Sequence, residues 1–287
     1  MSGGFVPDDR KGGWRGGLMV MRNFCPVNLK DTGFSILFSN KQGWKPALQN
    51  RLSGYNVTFG DFRAVDLGAF DLIIPLNLSD QRYLNEMAAH KPLARLSPSE
   101  YCMGLCNDKT ALYVFLQGLG LGDAVPKIDQ QLPPPYILKP KIGEWGIGTS
   151  IIMDPKDEPG SADKLKSGKY FKQEYIAGGR EYATHIIMKD RRIVFFKTIE
   201  FEFDTDVYVK GIDKTPAKAR WIDHGKYQGI FEKILGAMDY QGICCFDYKV
   251  VNDRLYLFEI NPRYGGSLTG FIEEALAAYA LAVYGAG

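Results

Sequence analysis

Phe246-Asp-Tyr-Lys-Val-Val251, then Asn252-Asp253, then Arg254-Leu-Tyr-Leu-Phe-Glu259-Ile-Asn261-Pro-Arg263 is the stretch whose reading decides the fold. Two apolar runs flank an Asn-Asp pair, which reads as an antiparallel hairpin turning around Asn252-Asp253. Acidic residues inside apolar strands are unfavourable unless they are paired or bound to a cation. Glu259 lies between Phe258 and Ile260, and Asn261 is two residues on, so both side chains share one face. Asp247 joins that face only if it lies opposite Glu259. That register needs an odd loop, such as Asn252 to Arg254 with a bulge. A tight two-residue turn alone would pair Asp247 with Phe258 and turn it away. Two carboxylates and an amide oxygen on one face, with room for phosphate oxygens, suit Mg²⁺. The competing reading is a polar outer face on an edge hairpin.

Working outward, Arg263 follows Pro262 and could meet the charge of a transferring phosphoryl group. Gly265-Gly266-Ser267 would let another backbone approach, with Ser267 as cap of a helix over about 268–284. Upstream, Gln173-Glu174-Tyr-Ile-Ala-Gly-Gly-Arg-Glu181 reads as a strand, a sharp glycine turn and a second strand. Its two glutamates could accept from an adenine amine or ribose hydroxyls. The backbone of Tyr175, Ile176 and Ala177 could offer the donor and acceptor that an adenine edge requires. Two solvated strand-end glutamates are the plain alternative. Further upstream, Tyr136-Ile-Leu-Lys139-Pro140 delivers a lysine before a loop carrying Gly143, Gly146 and Gly148. Glycines let backbone N–H groups close on phosphate oxygens, and a lysine supplies a point charge. The loop is neither a P-loop nor a Rossmann turn, and a simple hairpin explains it as well.

The first part of the chain alternates strands and helical stretches. Strands are expected at 34–38, 55–59 and 70–75, with a short helix over 45–52, which describes a small parallel α/β layer. Ligands sit beyond strand C-termini in such layers, so Asn77, Ser79 and Asp80 are candidate contacts, although turn chemistry accounts for them too. Ser97, Pro98 and Glu100 resemble a capping box, and Asp108 or Asn107 opens a helix over 109–117. Strands are expected at 183–188, 193–198, 242–251 and 255–260, with a helix over 227–238. The charged segment 200–220 fits no pattern and reads as a substrate loop or a solvated excursion.

The 287 residues are 45% hydrophobic and 24% charged, with a net charge of +2. This is an ordinary globular balance that gives no reason to expect nucleic acid or a membrane as partner. No apolar run suits a membrane span, and the N-terminal residues lack a signal-peptide core. The five cysteines have no zinc spacing and read as free thiols in a cytoplasmic protein.

Taken together, Asp108-Lys109, Ile137-Leu-Lys-Pro140 before the glycine loop, Gln173-Glu174-Tyr-Ile with Gly179-Arg-Glu181, and Asp247…Glu259-Ile-Asn261-Pro-Arg263 resemble the ATP-grasp superfamily over roughly 105–275. The resemblance implies an α/β class built of α+β subdomains. A flexible arm would span 1–17, a pre-grasp α/β domain 18–105, a lid subdomain with linker helix 106–176, and a C-terminal subdomain with antiparallel sheet and metal site 177–287. It implies ATP and Mg²⁺ as cofactors. Lys109 and Lys139 would contact phosphates, Glu174 and the backbone after it adenine, and Glu181 the ribose. Asp247, Glu259 and Asn261 would hold Mg²⁺, and Arg263 would stabilise an acyl phosphate. The expected activity is a carboxylate–amine ligase acting on small molecules. A phosphotransferase and a non-catalytic nucleotide-binding protein are the alternatives, and a homodimer is the default expectation for assembly.

Overall fold

In the computed structural model, residues 29–30, 32–143, 146–212 and 215–285 are described. The arm expected at 1–17 and the start of the pre-grasp layer at 18–28 lie outside them. Three sheets organise the rest. The first is parallel, in the order β2 (Asn56–Gly60), β1 (Ser35–Ser39), β3 (Leu72–Ile74), as the alternating pattern predicts. Helix α1 (Lys45–Arg51) joins β1 to β2, and α2 (Leu78–Ala88) follows β3. Asn77 caps α2 through the Asp80 N–H at 2.8 Å. Asp80 in turn receives the Asn77 amide at 2.6 Å and Arg63 at 3.1 Å. The polar residues after β3 are thus engaged in turn and cap chemistry.

Two helices then cross to the rest of the molecule. The cap of α3 (Glu100–Asn107) is Ser99, whose hydroxyl accepts from Cys102 N–H, and not the expected Ser97. Ser97 instead bonds the side chains of Asn85 and Gln81. Asp108 caps α4 (Lys109–Gly118) as expected, accepting from Thr110 and Ala111 N–H.

The second sheet is small and antiparallel, in the order β5 (Ser150–Ile152), β4 (Tyr136–Pro140), β6 (Tyr170–Glu174). Short helix α5 (Ala162–Lys166) leans on it through Leu165.

The third sheet is antiparallel and five-stranded, in the order β11 (Arg254–Asn261), β10 (Gly242–Val251), β7 (Arg180–Lys189), β8 (Arg192–Glu202), β9 (Lys218–Ile222). Strand β9 falls in the stretch read as a charged excursion, and it pairs with β8 from Thr198 to Glu202. One face of this sheet packs on α3, α4 and α6 (Gln228–Ala237) through Tyr182, Ile186, Phe246, Tyr248, Leu257 and Ile260. The end of the sheet and α7 (Ile272–Tyr284) close over the parallel layer through Ile187, Ile243, Leu276 and Tyr279. The helix expected from Leu268 begins only at Ile272, after a 3₁₀ stretch over Gly266–Phe271. The cap position of that stretch is Gly265, which has no side chain, and the Ser267 hydroxyl, expected as a cap, instead meets His185 Nε2 at 2.8 Å.

The hairpin resolves the register question in an unexpected way. Its turn is the tight two-residue one, with Asn252 and Asp253 both at positive φ, 50° and 60°, and Val251 opposite Arg254. Asp247 nevertheless pairs with Glu259, because Phe258 is an extra residue between the pairs Tyr248–Leu257 and Asp247–Glu259. The bulge shifts the alternation, so the core-facing positions run Leu255, Leu257 and then Ile260. The Phe258 carbonyl, displaced from the ladder, accepts from the buried Tyr113 hydroxyl of α4 at 3.0 Å.

Candidate functional site

The face of the five-stranded sheet opposite its helices carries the acidic cluster. Asp247, Glu259 and Asn261 meet there. Asn261 Nδ2 donates to Asp247 Oδ2 at 2.9 Å and to Glu259 Oε1 at 3.0 Å. Asn261 Oδ1 accepts from Arg263 Nη2 at 3.2 Å, and Arg263 Nη1 donates to the Tyr264 carbonyl at 3.1 Å. Arg263, buried at 5% exposure, therefore lies beside the trio and orients its amide.

Three lysines converge on these acids. Lys109, at the start of α4, reaches Glu259 Oε2 at 3.5 Å and donates to the Gly143 carbonyl at 2.8 Å, tying the glycine loop to β11. Lys139, from β4, sits 5.0 Å from the Phe258 ring centroid. Burial, reinforced by Lys109, pulls its amine down to about 8 against the pull of Glu259, Glu181 and Asp247. The third, Lys210, was not singled out for the site by its sequence context. It comes from the loop between β8 and β9 and contacts Glu181 Oε1 at 2.6 Å and Asp247 Oδ1 at 2.7 Å. Burial alone would lower its basicity, but the charges of Asp247 and Glu181 carry it well above the ordinary lysine value. Asp247 is shifted up by burial and by Glu259 and Glu181, in spite of Lys210. Glu259 is shifted the other way: burial raises it, but Lys109, Lys139 and the Asn261 amide bring it below the usual carboxylate value.

This donor set can be tested against Mg²⁺. Among the described residues no group of three or more His, Cys, Asp or Glu side chains is arranged to hold a metal ion. The trio has two carboxylates and one amide, which suits a cation that brings phosphate oxygens and waters of its own. The Lys210 ammonium against Asp247 marks the spot as one that attracts positive charge. The residues fit Mg²⁺ carried by a polyphosphate.

The other expected residues lie at the ends of β6 and β7, on the connection between them and in the loop between β4 and β5. Glu181 is buried at the start of β7, next to Lys210. Glu174 lies at the end of β6, where its carboxylate accepts from Lys127 N–H at 3.0 Å, so only its second oxygen faces elsewhere. Tyr175, Ile176 and Ala177 connect β6 to β7. The Tyr175 hydroxyl bonds the Asp206 carbonyl. Gly143, Gly146 and Gly148 have φ of 151°, 69° and 79° in the loop between β4 and β5. A Cβ at Gly146 would come within 2.9 Å of Val209 and 3.3 Å of Ile212, so this loop lies directly against the β8–β9 loop. The segment read as a substrate loop or surface excursion therefore folds over the cluster, in contact with the glycine loop, and supplies Lys210. In sequence Lys210 stands after Tyr208-Val209 and before Gly211, in a stretch of mixed charge with Glu200, Glu202, Asp204 and Asp206 before it and Lys214 and Lys218 after it.

His185, on β7, is a second residue the sequence did not flag. Its imidazole is fully buried, and burial lowers it to about 3, so it is neutral and anchors Ser267 in the loop that follows Arg263.

A carboxylate–amide cluster with three lysines around it thus lies between a glycine-loop sheet and a larger antiparallel sheet. Residues 106–267 match the model of the ATP-grasp domain, and the chain belongs to that family. No curated protein matches the sequence significantly. Among solved structures, N5-carboxyaminoimidazole synthetase from Staphylococcus aureus, complexed with ADP, is similar at a TM-score of 0.62 and 18% identity, over 92% of this chain and 81% of that one. Biotin carboxylase from Campylobacter jejuni is similar at a TM-score of 0.61 and 17% identity, over 88% and 72%. D-alanine–D-alanine ligase from Bacillus anthracis, complexed with ATP, is similar at 0.58 and 13%, over 87% and 95%. At these identities the likeness is one of fold. No helix among the described residues is long and apolar enough to cross a membrane.

Proposed function

We propose that this protein is an ATP-dependent ligase that activates a small carboxylate as an acyl phosphate for attack by an amine. The observation that carries the reading is the bulged register that sets Asp247 opposite Glu259 and beside Asn261, with Lys109 at 3.5 Å from Glu259 and Lys210 at 2.7 Å from Asp247. Membership of the ATP-grasp family supports the use of ATP, and the ligases among its structural neighbours support the reaction class.

In this reading the adenine lies against the Glu174–Ala177 segment and the ribose near Glu181. Lys109 and Lys139 take the triphosphate, and Gly143, Gly146 and Gly148 cover it. Mg²⁺ held by Asp247, Glu259 and Asn261 would neutralise phosphate charge. A substrate carboxylate oxygen attacks the γ-phosphorus, the bond to the β–γ bridging oxygen breaks, and ADP leaves with that electron pair. The amine nitrogen then attacks the acyl carbon, phosphate departs, and the amine loses its proton to give the amide. Arg263 stabilises the charge on the acyl phosphate. The chain contributes positioning and charge neutralisation. The glycine loop and the loop bearing Lys210 exclude the water that would hydrolyse the intermediate.

The test is ADP release with panels of carboxylic acids paired with amino acids and amines, followed by mass analysis of the product. A new amide is expected, and a stable phosphorylated product would identify a phosphotransferase instead. Lys139→Ala and Glu259→Ala should each abolish turnover with the fold retained. Undiminished turnover in both sinks the assignment.

A further inference from the structure

Lys249 is a buried lysine that none of the chemistry above uses. It lies on β10, two residues after Asp247, at 5% exposure. Its ammonium donates to the Ile176 carbonyl at 3.0 Å and the Gly178 carbonyl at 2.7 Å. It also lies 4.6 Å from the centroid of the Tyr208 ring. A lysine stem taken out of water to hold two main-chain carbonyls of one connection acts on the shape of that connection. A trans peptide group points its N–H opposite its carbonyl. With the Ile176 carbonyl turned to Lys249, the Ala177 N–H of the same peptide group faces away from it. Among the described residues neither the Tyr175 carbonyl nor the Ala177 N–H has a hydrogen-bond partner.

We infer that Lys249 is a positioning residue that sets base specificity, by fixing which main-chain groups of residues 175–177 face the nucleotide. The inference rests on the reading that this segment receives the base of ATP. A carbonyl next to an N–H matches the adenine edge, which offers an amine donor beside a ring-nitrogen acceptor. Guanine offers a carbonyl acceptor beside an N–H donor, the inverse pattern, so a segment free to turn its peptide groups over could take either base. Held from behind, it takes adenine and leaves guanine unpaired. The neighbouring contacts hold the same connection. Phe203 N–H donates to the Gly179 carbonyl at 2.7 Å, and the Tyr175 hydroxyl meets the Asp206 carbonyl. None of these engages the carbonyls of Ile176 or Gly178 as closely as Lys249 does. Tyr208 reaches Gly178 only at 3.5 Å.

The test measures Kd for Mg–ATP and Mg–GTP by calorimetry in the wild-type protein, Lys249→Met and Lys249→Arg, with thermal unfolding alongside. The wild type should prefer ATP by about tenfold or more, the scale of one well-formed two-bond recognition. Lys249→Met should bring the GTP:ATP ratio of Kd down at least about fivefold, chiefly by weakening ATP, and Lys249→Arg, which keeps its donors, should restore it. A merely structural role would move both constants together, and an unchanged ratio in Lys249→Met overturns the inference. If Lys249→Met does not fold, Lys249→Gln, with donors for one carbonyl, should show a partial loss of the ratio, and an unchanged ratio there is equally decisive against it. A wild-type protein without preference for ATP would overturn the adenine reading of the segment itself, and is thereby distinguished from failure of Lys249 alone.

Discussion

Lys210→Met removes the ammonium that bridges Glu181 and Asp247 while keeping most of the side chain's length. The wild-type contacts are 2.6 and 2.7 Å, and the three side chains are 28%, 10% and 15% exposed. Deleting one partner of a fully buried pair costs about 3–5 kcal/mol. Solvent reaches Lys210, so a cost of about 2 kcal/mol is expected, or about 4 °C in Tm for a chain of this size. The variant also leaves Asp247 and Glu181 without their bridging cation, next to Glu259. If these acids form the cation site, Mg²⁺ should substitute for the lost ammonium. With Mg²⁺ at ten times a weak Kd, the stabilisation is about 1.4 kcal/mol, or about 3 °C. The wild type already holds a cation there and should move by less than about 1 °C. Thermal unfolding with and without MgCl₂, against NaCl at matched ionic strength, reads the difference. Adding Asp247→Asn to the variant should remove the Mg²⁺ response. Equal Mg²⁺ shifts in wild type and Lys210→Met would refute the idea that lysine and metal share these acids.

Lys139, lowered to about 8, is charged below that pH and neutral above it. Binding a polyanion favours the charged form, so the Kd for ATP should be flat below about pH 8 and weaken by up to about tenfold per pH unit above it. Lys139→Arg, charged throughout, should flatten the profile, and an identical profile in that variant would show that Lys139 is not the group responsible. Gly179→Ala would bring a Cβ to 2.9 Å from the Phe203 carbonyl and 3.4 Å from that of Thr205, with backbone on both sides of the contact. A loss of about 1–3 kcal/mol is expected, together with weaker ATP binding. Unchanged Tm and unchanged ATP affinity would mean that the close approach of β7 to the β8–β9 loop is not needed.

Much of the fold could be read from local signals. Asp108 caps its helix because its carboxylate reaches N–H groups two and three residues on. The parallel layer follows from apolar runs of strand length separated by helical stretches. The hairpin follows from two alternating runs and an Asn-Asp pair able to take positive φ at both turn positions. Each of these is decided within a few residues, where the chain's own sterics and hydrogen bonds dominate. Even the choice of Asp247, Glu259 and Asn261 rests on a local fact, the unfavourable burial of acids in apolar strands.

Tertiary structure decided what those residues would face. The turn alone predicts that Asp247 points away from Glu259. The bulge at Phe258 reverses this, and its displaced carbonyl is received by Tyr113, a residue 145 positions earlier. Lys210 reaches Asp247 across 37 residues from a loop without periodicity, and Lys249 reaches Ile176 across 73. Such pairings depend on how β7, β8 and β10 are ordered in one sheet. A lysine's sequence neighbourhood carries no record of which carboxylate or carbonyl the closed fold will bring to it. By itself the sequence determined which side chains are available to meet a nucleotide and a cation, through turns, caps and alternation that act over a few residues. Only the packing of helices and loops against the sheet decided their register and their counter-charges, because those energies arise between groups brought together when the chain closes.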